Sequence, residues 1–578
     1  MNGGANPELL WLLVEHLLLT GLPAAAAAVL AARAGMRGVP LLMAVALATS
    51  GGVAILSFWL YYLGPTVGQT GSFFFVFASI LVLAGCLRAG ADRGVLLELA
   101  MPFALWALAS AFVLFLGFLH GGTEQPLVTA ATRFSHLLPT DNEIPSYFAD
   151  WFYLHGHSGT PPPFGDWLSS DRPPLQVGYV LAQRPFGWGT TGLPYQVLGV
   201  IVQQLWVLGM WALLCAARLR PRTRGLAMLA AIVSDIAIVH GFYIWPKLIA
   251  ASFLLAALAL VLSEEWPRLR RQPLAGALFA GLCGLAALAH GSSFFFALPL
   301  AALALWKRPS WSWIATAVAV AVVLLGSWSA YQRYADPPGD RLVKWQVGGS
   351  PVIDDRGTLE TIADSYREAG IGGTLHNKWV NLDAQARLWE FESAARESAD
   401  LVGEGHLGLA LAPIRLVRFY GLLPFLGLLL VGPLAMLGAR LRGRPRGPDW
   451  RFAVFGLGFS VVACLLWVLL MFGGSEAAAV LHQGSLALPL LAACACVAGA
   501  CAVDLRLGGV LVAANVVLVL LLYVPALTPP AGSAYSPLAG VLAAAALAGI
   551  GLLTLRPGRP EAPTATNTLP GRDGENRS

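Results

Sequence analysis

Apolar runs of about twenty residues recur along almost the whole chain and constrain its fold more than any other feature. A run of this length, wound as a helix, crosses a hydrocarbon layer roughly 30 Å thick. The residues are 57% hydrophobic and only 12% charged, whereas a soluble domain carries about a quarter charged residues. The sequence therefore predicts an all-α fold, a polytopic helical bundle in a membrane.

Fifteen of these segments are predicted to be transmembrane helices. They lie near 9–31, 41–62, 71–87, 95–119, 196–217, 226–241, 244–262, 273–290, 292–306, 312–333, 412–438, 451–472, 479–501, 507–525 and 536–555. Arginine clusters occupy alternate short loops, which is the positive-inside pattern. We expect a multi-pass protein of a bacterial plasma membrane, with its N-terminus outside and its C-terminus in the cytoplasm.

Two long loops, 120–195 and 334–411, both fall outside on this topology and hold most of the acidic residues. Aromatic residues share one face of "EIPSYFADWFYLHG" in the first loop, which predicts an interfacial helix. The predicted division is 1–94, extra N-terminal membrane helices; 95–333, a membrane core that includes loop 120–195; 334–411, a small helical outer cap; 412–556, C-terminal membrane helices; and 557–578, a disordered cytoplasmic tail.

The stretch "LLPTDNEIPSYF" places two carboxylates, Asp141 and Glu143, just beyond a membrane helix. A carboxylate at the rim of a partly dehydrated cavity can act as a general base towards a hydroxyl or hold a divalent cation. The alternative is structural, with Asp141 as a helix N-cap and Glu143 in the first helical turn. The same loop carries Asp171 and Arg172 in "GDWLSSDRPPLQ", where Asp171 and the prolines predict a helix start.

This layout resembles the GT-C superfamily of membrane glycosyltransferases, and within it the protein O-mannosyltransferase and aminoarabinose transferase branch. The resemblance rests on an acidic motif in the first large outer loop, an interfacial aromatic helix and an "RPPL" helix start, and covers chiefly residues 95–335. It implies that Asp141 is the catalytic base, with Glu143 as its acidic neighbour. It also implies a polyprenyl-phosphate-linked sugar donor and an acceptor hydroxyl on the outer side.

The chain departs from that family in two ways. About three extra helices precede the acidic loop, and the second outer loop, "VHGFYIWPK", offers His240 and Lys247 instead of a further carboxylate. The nearest carboxylate is Asp235, predicted inside the preceding helix about 9 Å from its outer end. Asp235 either supports the site or pairs structurally with another helix. Whether a metal takes part is left open, with Asp141, Glu143 and Asp235 as its possible ligands.

Five further residues are candidates for binding the donor phosphate. Lys247 lies near the outer end of its helix, where the alternative is snorkelling to the interface. Arg415 and Arg418 are three residues apart and share a helix face, and the alternative there is interfacial anchoring. His290 and His482 lie at outer helix ends, each followed by Gly and Ser, and can equally be structural. We expect Asp141, Asp235, Lys247 and Arg415 to converge on one outward cavity.

Three functions are compatible with these features. The first is an inverting glycosyltransferase that transfers a sugar from a polyprenyl-phosphate donor to a cell-envelope acceptor, with membrane lipids but no nucleic acid as partners. The second is a lipid-linked polysaccharide polymerase or ligase, in which histidines and arginines matter more than Asp141. The third is a transporter or flippase, which the scarcity of charge at the helix centres disfavours.

Overall fold

The structure is a computed structural model that describes residues 7–90, 92–134, 136, 138–187, 192–406, 409–443, 447–473, 485–525 and 535–556. No strand forms within these ranges, and the one β-bridge they contain joins Phe164 to Trp167. The predicted all-α class is confirmed. The predicted tail 557–578 and His482 lie outside the described residues.

The helices fall into three groups separated by the two long loops. Before and within the first loop lie α1 (Pro7–Arg33), α2 (Val39–Leu63), α3 (Pro65–Arg88), α4 (Arg93–Gly117), α5 (Pro126–Thr132), α6 (Ile144–His155) and α7 (Leu175–Gln183). Between the loops lie α8 (Leu193–Gln203), α9 (Trp206–Ala216), α10 (Pro221–Ile232), α11 (Asp235–Tyr243), α12 (Lys247–Leu262), α13 (Trp266–Leu269), α14 (Pro273–Ala289), α15 (Phe294–Trp306) and α16 (Trp311–Ala330). The second loop and the C-terminal part contain α17 (Arg341–Gly348), α18 (Thr358–Ala386), α19 (Leu388–Gly403), α20 (Ala412–Tyr420), α21 (Leu422–Leu426), α22 (Val431–Leu441), α23 (Pro448–Leu470), α24 (Ala487–Val503), α25 (Leu505–Tyr523) and α26 (Pro537–Leu555).

Ten helical segments in the described ranges are long and apolar enough to cross a membrane, so the chain is a membrane protein. They are α1 to α4, α8 joined to α9, α16, α21 joined to α22, α23, α25 and α26. The pair α10 and α11, bent by 51°, is an eleventh if it counts as one span. Helices α12, α14, α15 and α24 are apolar but shorter than a full hydrocarbon crossing. The count of fifteen therefore stays a prediction.

The two ends of the bundle carry different loops. At one end the short arginine-bearing loops contact their neighbours: the Arg33 guanidinium donates to the Cys86 carbonyl, and Arg220 pairs with Asp449. At the other end the two long loops meet, where Arg341 pairs with Asp166. We call this second end the long-loop end.

Two of these shorter helices, α12 and α24, form the centre of the bundle. Helix α12 is buried from Lys247 to Val261, and α24 is buried from Ala487 to Cys501. A helix that is apolar on all sides belongs in the interior. A Cβ at Gly209 of α9 would lie 2.4 Å from the Ser252 carbonyl oxygen of α12, so only glycine permits this close packing.

Two predicted spans are interrupted in the structure. The segment 226–241 breaks between α10 and α11, where the Ser234 hydroxyl accepts from the Ala237 amide and caps α11. Asp235 therefore lies in the first turn of a new helix, not inside a continuous one. The segment 412–438 breaks at Gly421, whose backbone is extended, and the candidate span begins only at Leu422.

Candidate functional site

A cavity of about 460 Å³ lies at the long-loop end of the bundle. Its walls come from the first long loop, from the α11–α12 connection, from the start of the loop after α14 and from α17 of the second long loop. The described lining residues include Asp141, Phe148, Trp167, Arg172, Gln176, His240, Tyr243, Trp245, Lys247, His290, Leu342, Trp345, Gln346, Arg387, Phe419 and Tyr420. Five residues predicted as site residues thus line one cavity: Asp141, Arg172, His240, Lys247 and His290.

Asp141 forms an ion pair with Arg172 in this cavity. One Asp141 carboxylate oxygen accepts from the Arg172 guanidinium at 3.0 Å, and 28% of the Asp141 side chain is exposed. Neither Asp141 nor Glu143 caps α6 with its side chain, so the structural alternative of an N-cap is wrong. Glu143 is not among the described lining residues.

The backbone on both sides of Asp141 is held by buried tyrosines. The Tyr243 hydroxyl donates to the Pro139 carbonyl at 2.6 Å, and the Tyr195 hydroxyl donates to the Asn142 carbonyl at 2.6 Å. The Asn142 amide in turn donates to the Leu127 carbonyl at 3.1 Å. Because this segment is already fixed, the Asp141 side chain loses little conformational entropy when a ligand binds.

Arg172 is fixed by aromatic stacking. Its guanidinium carbon lies 3.7 Å from the ring centre of Trp167 and 4.8 Å from that of Trp245. Arg341 stacks on Trp167 as well, at 3.8 Å. Burial lowers the pKa of Arg172, and the neighbouring Asp141 opposes that shift. The guanidinium therefore keeps a set orientation at the cavity wall.

Lys247 enters the cavity because the chain breaks just before it. Helix α11 ends at Tyr243, Ile244 adopts a left-handed conformation, and α12 begins at Lys247 directly after Pro246. Pro246 is the N-cap residue of α12, and its ring fixes the backbone where the new helix begins. Lys247 is buried and interacts electrostatically with Asp141. The positive end of the α12 dipole faces the same region and favours anions.

The two histidines of the cavity have different surroundings. His290 follows α14, and its Nδ1 forms a hydrogen bond of 2.8 Å with the Ser292 hydroxyl. His240 lies on α11 with its ring 5.1 Å from the ring of Phe419. His290 is thus oriented by a polar partner, whereas His240 lies against an aromatic wall.

Helix α17 covers the cavity and is joined to the first long loop; we call it the roof. Leu342, Trp345 and Gln346 of the roof line the cavity. Arg341 donates to the Asp166 carbonyl at 2.7 Å, and the Gln346 carbonyl accepts from the Phe472 amide at 2.8 Å. The roof is therefore tied both to the first loop and to the chain beyond α23.

Asp235 and Arg418 form a second ion pair, which lies outside the described lining. The guanidinium contacts both carboxylate oxygens, at 3.2 and 2.6 Å, and both side chains are buried. Arg415 is also buried and donates to the Leu522 carbonyl at 3.0 Å. The expected convergence of four residues is therefore wrong for Asp235 and Arg415, because both are engaged within the protein.

Asp171 supports the loop and does not reach the cavity. Its carboxylate accepts from the Leu168 amide at 3.0 Å and closes a short turn before Arg172. Burial raises the pKa of Asp171 to about 6, and the Leu168 hydrogen bond and Arg341 oppose this shift. The predicted helix start is confirmed, since α7 begins at Leu175, directly after Pro173 and Pro174.

The described residues offer little to a metal ion. No three His, Cys, Asp or Glu residues among them cluster as metal ligands. Asp141 is the one carboxylate in the described lining, and Asp235 is paired with Arg418. The three metal ligands considered from the sequence are therefore not brought together.

Sequence reasoning missed the aromatic and roof residues of the cavity. Among the described lining are seven aromatic residues of the Phe, Trp and Tyr types, and also Arg387, which follows α18. The charged lining residues are Asp141, Arg172, Lys247 and Arg387, three cations against one carboxylate. The "GDW" and "FYIWPK" stretches carry tryptophans beside charged residues, a signal that could have identified Trp167 and Trp245. The net positive, largely aromatic lining suits an anionic ligand with apolar or ring-shaped parts.

No family model, curated protein or solved structure matches this chain. The fold and the site together define a polytopic helical membrane protein with a charged, aromatic cavity at its long-loop end.

Proposed function

We propose that the chain is an integral membrane glycosyltransferase of GT-C type in a bacterial plasma membrane. In this proposal it transfers a sugar from a polyprenyl-phosphate donor to a hydroxyl of a cell-envelope acceptor on the outer side. One observation carries the proposal: the Asp141 carboxylate and the Lys247 ammonium share a single aromatic cavity at the end of an apolar bundle. This combination pairs a base with a phosphate-binding cation at the depth where a lipid-linked donor lies.

Asp141 acts as the general base in the proposed reaction. The acceptor hydroxyl gives its proton to the Asp141 carboxylate while its oxygen bonds to the anomeric carbon of the sugar. The bond between that carbon and the phosphate oxygen breaks, and its electron pair stays on the polyprenyl phosphate. Attack from the face opposite the leaving group inverts the anomeric configuration. Arg172 holds the carboxylate in place before the acceptor arrives.

Lys247 and Arg172 stabilise the leaving phosphate. Negative charge accumulates on the phosphate as its bond to the sugar breaks, and fixed cations in a dehydrated site lower the energy of that state. His290, oriented by Ser292, supplies a further hydrogen bond to the phosphate or the sugar. The aromatic walls at Trp245 and Trp345 accept the sugar ring or the first isoprene units.

Arg415, Arg418 and Asp235 have a different role in this proposal. Their side chains are buried against other groups of the protein, and none is among the described lining residues. They hold α20 against α11 and α25, and so support the wall that contains Phe419 and Tyr420.

A lipid-linked polysaccharide polymerase or ligase is the second candidate. It is favoured by one observation, namely that His240 and His290 line the same cavity as Arg172 and Arg387. In such an enzyme a histidine would activate the acceptor, and Asp141 would only orient Arg172.

Mass spectrometry of cell-envelope glycans and lipid-linked sugars, with and without the gene, tests the proposal. Deletion should remove one sugar modification and cause its lipid-linked donor to accumulate. Wild-type protein should restore the modification, Asp141→Asn should not, and Asp150→Asn should restore it. Asp150 is the matched control, since it lies in the same loop and pairs with Arg184 away from the cavity.

The same strains separate the two candidates. Full restoration by Asp141→Asn together with failure of His290→Ala, accompanied by shorter glycan chains, would favour the polymerase or ligase. An envelope that is unchanged by deletion would contradict both.

A further inference from the structure

The second half of α18, residues 371–386, presents an apolar face away from the protein. Ile371, Leu375, Trp379 and Leu382 are spaced by four, four and three residues, so they lie on one side of the helix. Their side chains are 84%, 65%, 65% and 41% exposed, respectively. An exposed apolar face of this extent is unusual on a surface that contacts water.

Two polar residues of this segment, Lys378 and Asn381, contact the protein, whereas His376 and Asp383 are exposed. The Asn381 amide donates to the Val468 and Met471 carbonyls, both at 3.1 Å, and the Lys378 ammonium also donates to the Met471 carbonyl. On a helix in water the largest apolar side chains face the protein, whereas here Val380 and Ala384 pack inward and the four larger apolar side chains are exposed. This distribution suits an apolar environment on the outward side.

The position of the segment indicates what that environment is. Val468 and Met471 lie at the end of α23, which is long and apolar enough to span a membrane. Directly below this end, Leu465 and Leu469 of α23 are also exposed and apolar. The outward face of 371–386 thus lies beside the exposed apolar side of a candidate span. Tryptophan at this level is typical of the boundary between hydrocarbon and headgroups.

We propose that residues 371–386 form an interfacial helix that lies in the outer leaflet of the bilayer, with Ile371, Leu375, Trp379 and Leu382 among the lipids. Within this segment Asp383 is the one exposed carboxylate and lies in the last turn, where it reaches the headgroups. The second long loop is therefore in part a membrane-bound element and not only a cap in water. The proposal does not depend on what the cavity binds.

Lipid quenching of a fluorescent label tests this placement. Full-length protein in nanodiscs would carry an NBD label at Leu375→Cys or Trp379→Cys, and the signal of protein without an added cysteine would be subtracted. The control is Glu397→Cys on the exposed polar face of α19. Doxyl-labelled phosphatidylcholine should quench the 375 and 379 labels roughly threefold more than the 397 label, and aqueous iodide should show the opposite order.

Two outcomes would overturn the proposal. Iodide quenching at 375 and 379 equal to that at 397 would place the face in water. Shielding from both iodide and doxyl lipid would mean that a second copy or another protein covers it, and single-copy nanodiscs would distinguish these two occupants. Elution of each labelled protein as the wild type does in gel filtration confirms that the fold is intact. Loss of glycosyl transfer by Asp141→Asn has no bearing on these results.

Discussion

Two arginine–aspartate pairs in this molecule have similar contacts and different surroundings. Asp141 and Arg172 meet at 3.0 Å beside a cavity, with 28% of the Asp141 side chain exposed. Asp235 and Arg418 meet at 2.6 Å, and the Asp235 side chain has no exposed surface. The same two residue types therefore make one pair that a ligand can reach and one that is sealed among helices.

This difference in access assigns a reactive role to Asp141 and a structural role to Asp235. A carboxylate can take a proton from a substrate only if the substrate can approach it, and the cavity gives that access to Asp141 alone. A sealed ion pair instead ties α11 to α20, since both charges lose their hydration and satisfy each other. Neutralising the two aspartates should consequently affect different properties of the protein.

Asp141→Asn should produce the largest change, and it should be in activity. Loss of a positioned general base costs about 10²–10⁴-fold in rate, because the amide cannot accept the acceptor proton. Purified variant and wild type should be compared for transfer from a polyprenyl-phosphate sugar, with folding followed by thermal denaturation. An unchanged kcat, or a variant that fails to fold, would remove the distinction between the two pairs.

Arg418→Ala should instead reduce stability. Removing one partner of a buried ion pair leaves the other charge unsatisfied and costs about 3–5 kcal/mol. Chemical denaturation in detergent, or yield and thermal inactivation where unfolding is irreversible, would measure the loss. The double variant Asp235→Leu with Arg418→Met should recover much of it and retain transfer activity. A fully stable single variant that had lost donor binding would show that Arg418 acts in the site.

Lys247→Met should have a smaller, selective effect. Loss of one charge-assisted contact to phosphate weakens binding by roughly 10-fold to 100-fold, so KM for the donor should rise more than KM for the acceptor. Lys307→Met is the matched control, because the Lys307 ammonium contacts the Val261 carbonyl near the other end of α12. Equal effects of the two substitutions would argue against phosphate binding by Lys247.

The sequence predicted the bundle and part of the site for clear physical reasons. Long apolar runs can be satisfied only as helices in a membrane, and a helix break before Lys247 is encoded by Trp245 and Pro246. The separation of Asp235 from Asp141 could not be predicted from the sequence. It depends on the packing of α11 against α20, and the paired residues Asp235 and Arg418 are 183 residues apart in the chain. The position of the roof over the cavity could not be predicted from the sequence for the same reason. Its link to Trp167 joins two loops that are distant in the sequence.

Asp171→Asn should give a smaller change, visible only as a pH dependence. The fold raises the pKa of Asp171 to about 6, so it favours the protonated form. This stabilisation is fully present below the unfolded pKa of about 4 and is lost as pH rises through about 6. Asparagine keeps the Leu168 hydrogen bond without the charge, so the Tm of the variant should exceed that of wild type near neutral pH and match it near pH 4.

Asp166→Asn provides the opposite case in the same loop. Arg341 lowers the pKa of Asp166, so the ionised carboxylate contributes stability that is lost as pH falls, and asparagine should slightly lower the Tm near neutral pH. The effect should be small because the Asp166 side chain is largely exposed and its ion pair is screened. If Asp171→Asn also lowered the Tm near neutral pH, the Asp171 charge would be needed by Arg341. The Arg341–Asp171 contact of 3.9 Å would then be a second ion pair between the first loop and the roof, and Asp171, like Asp235, would serve the fold.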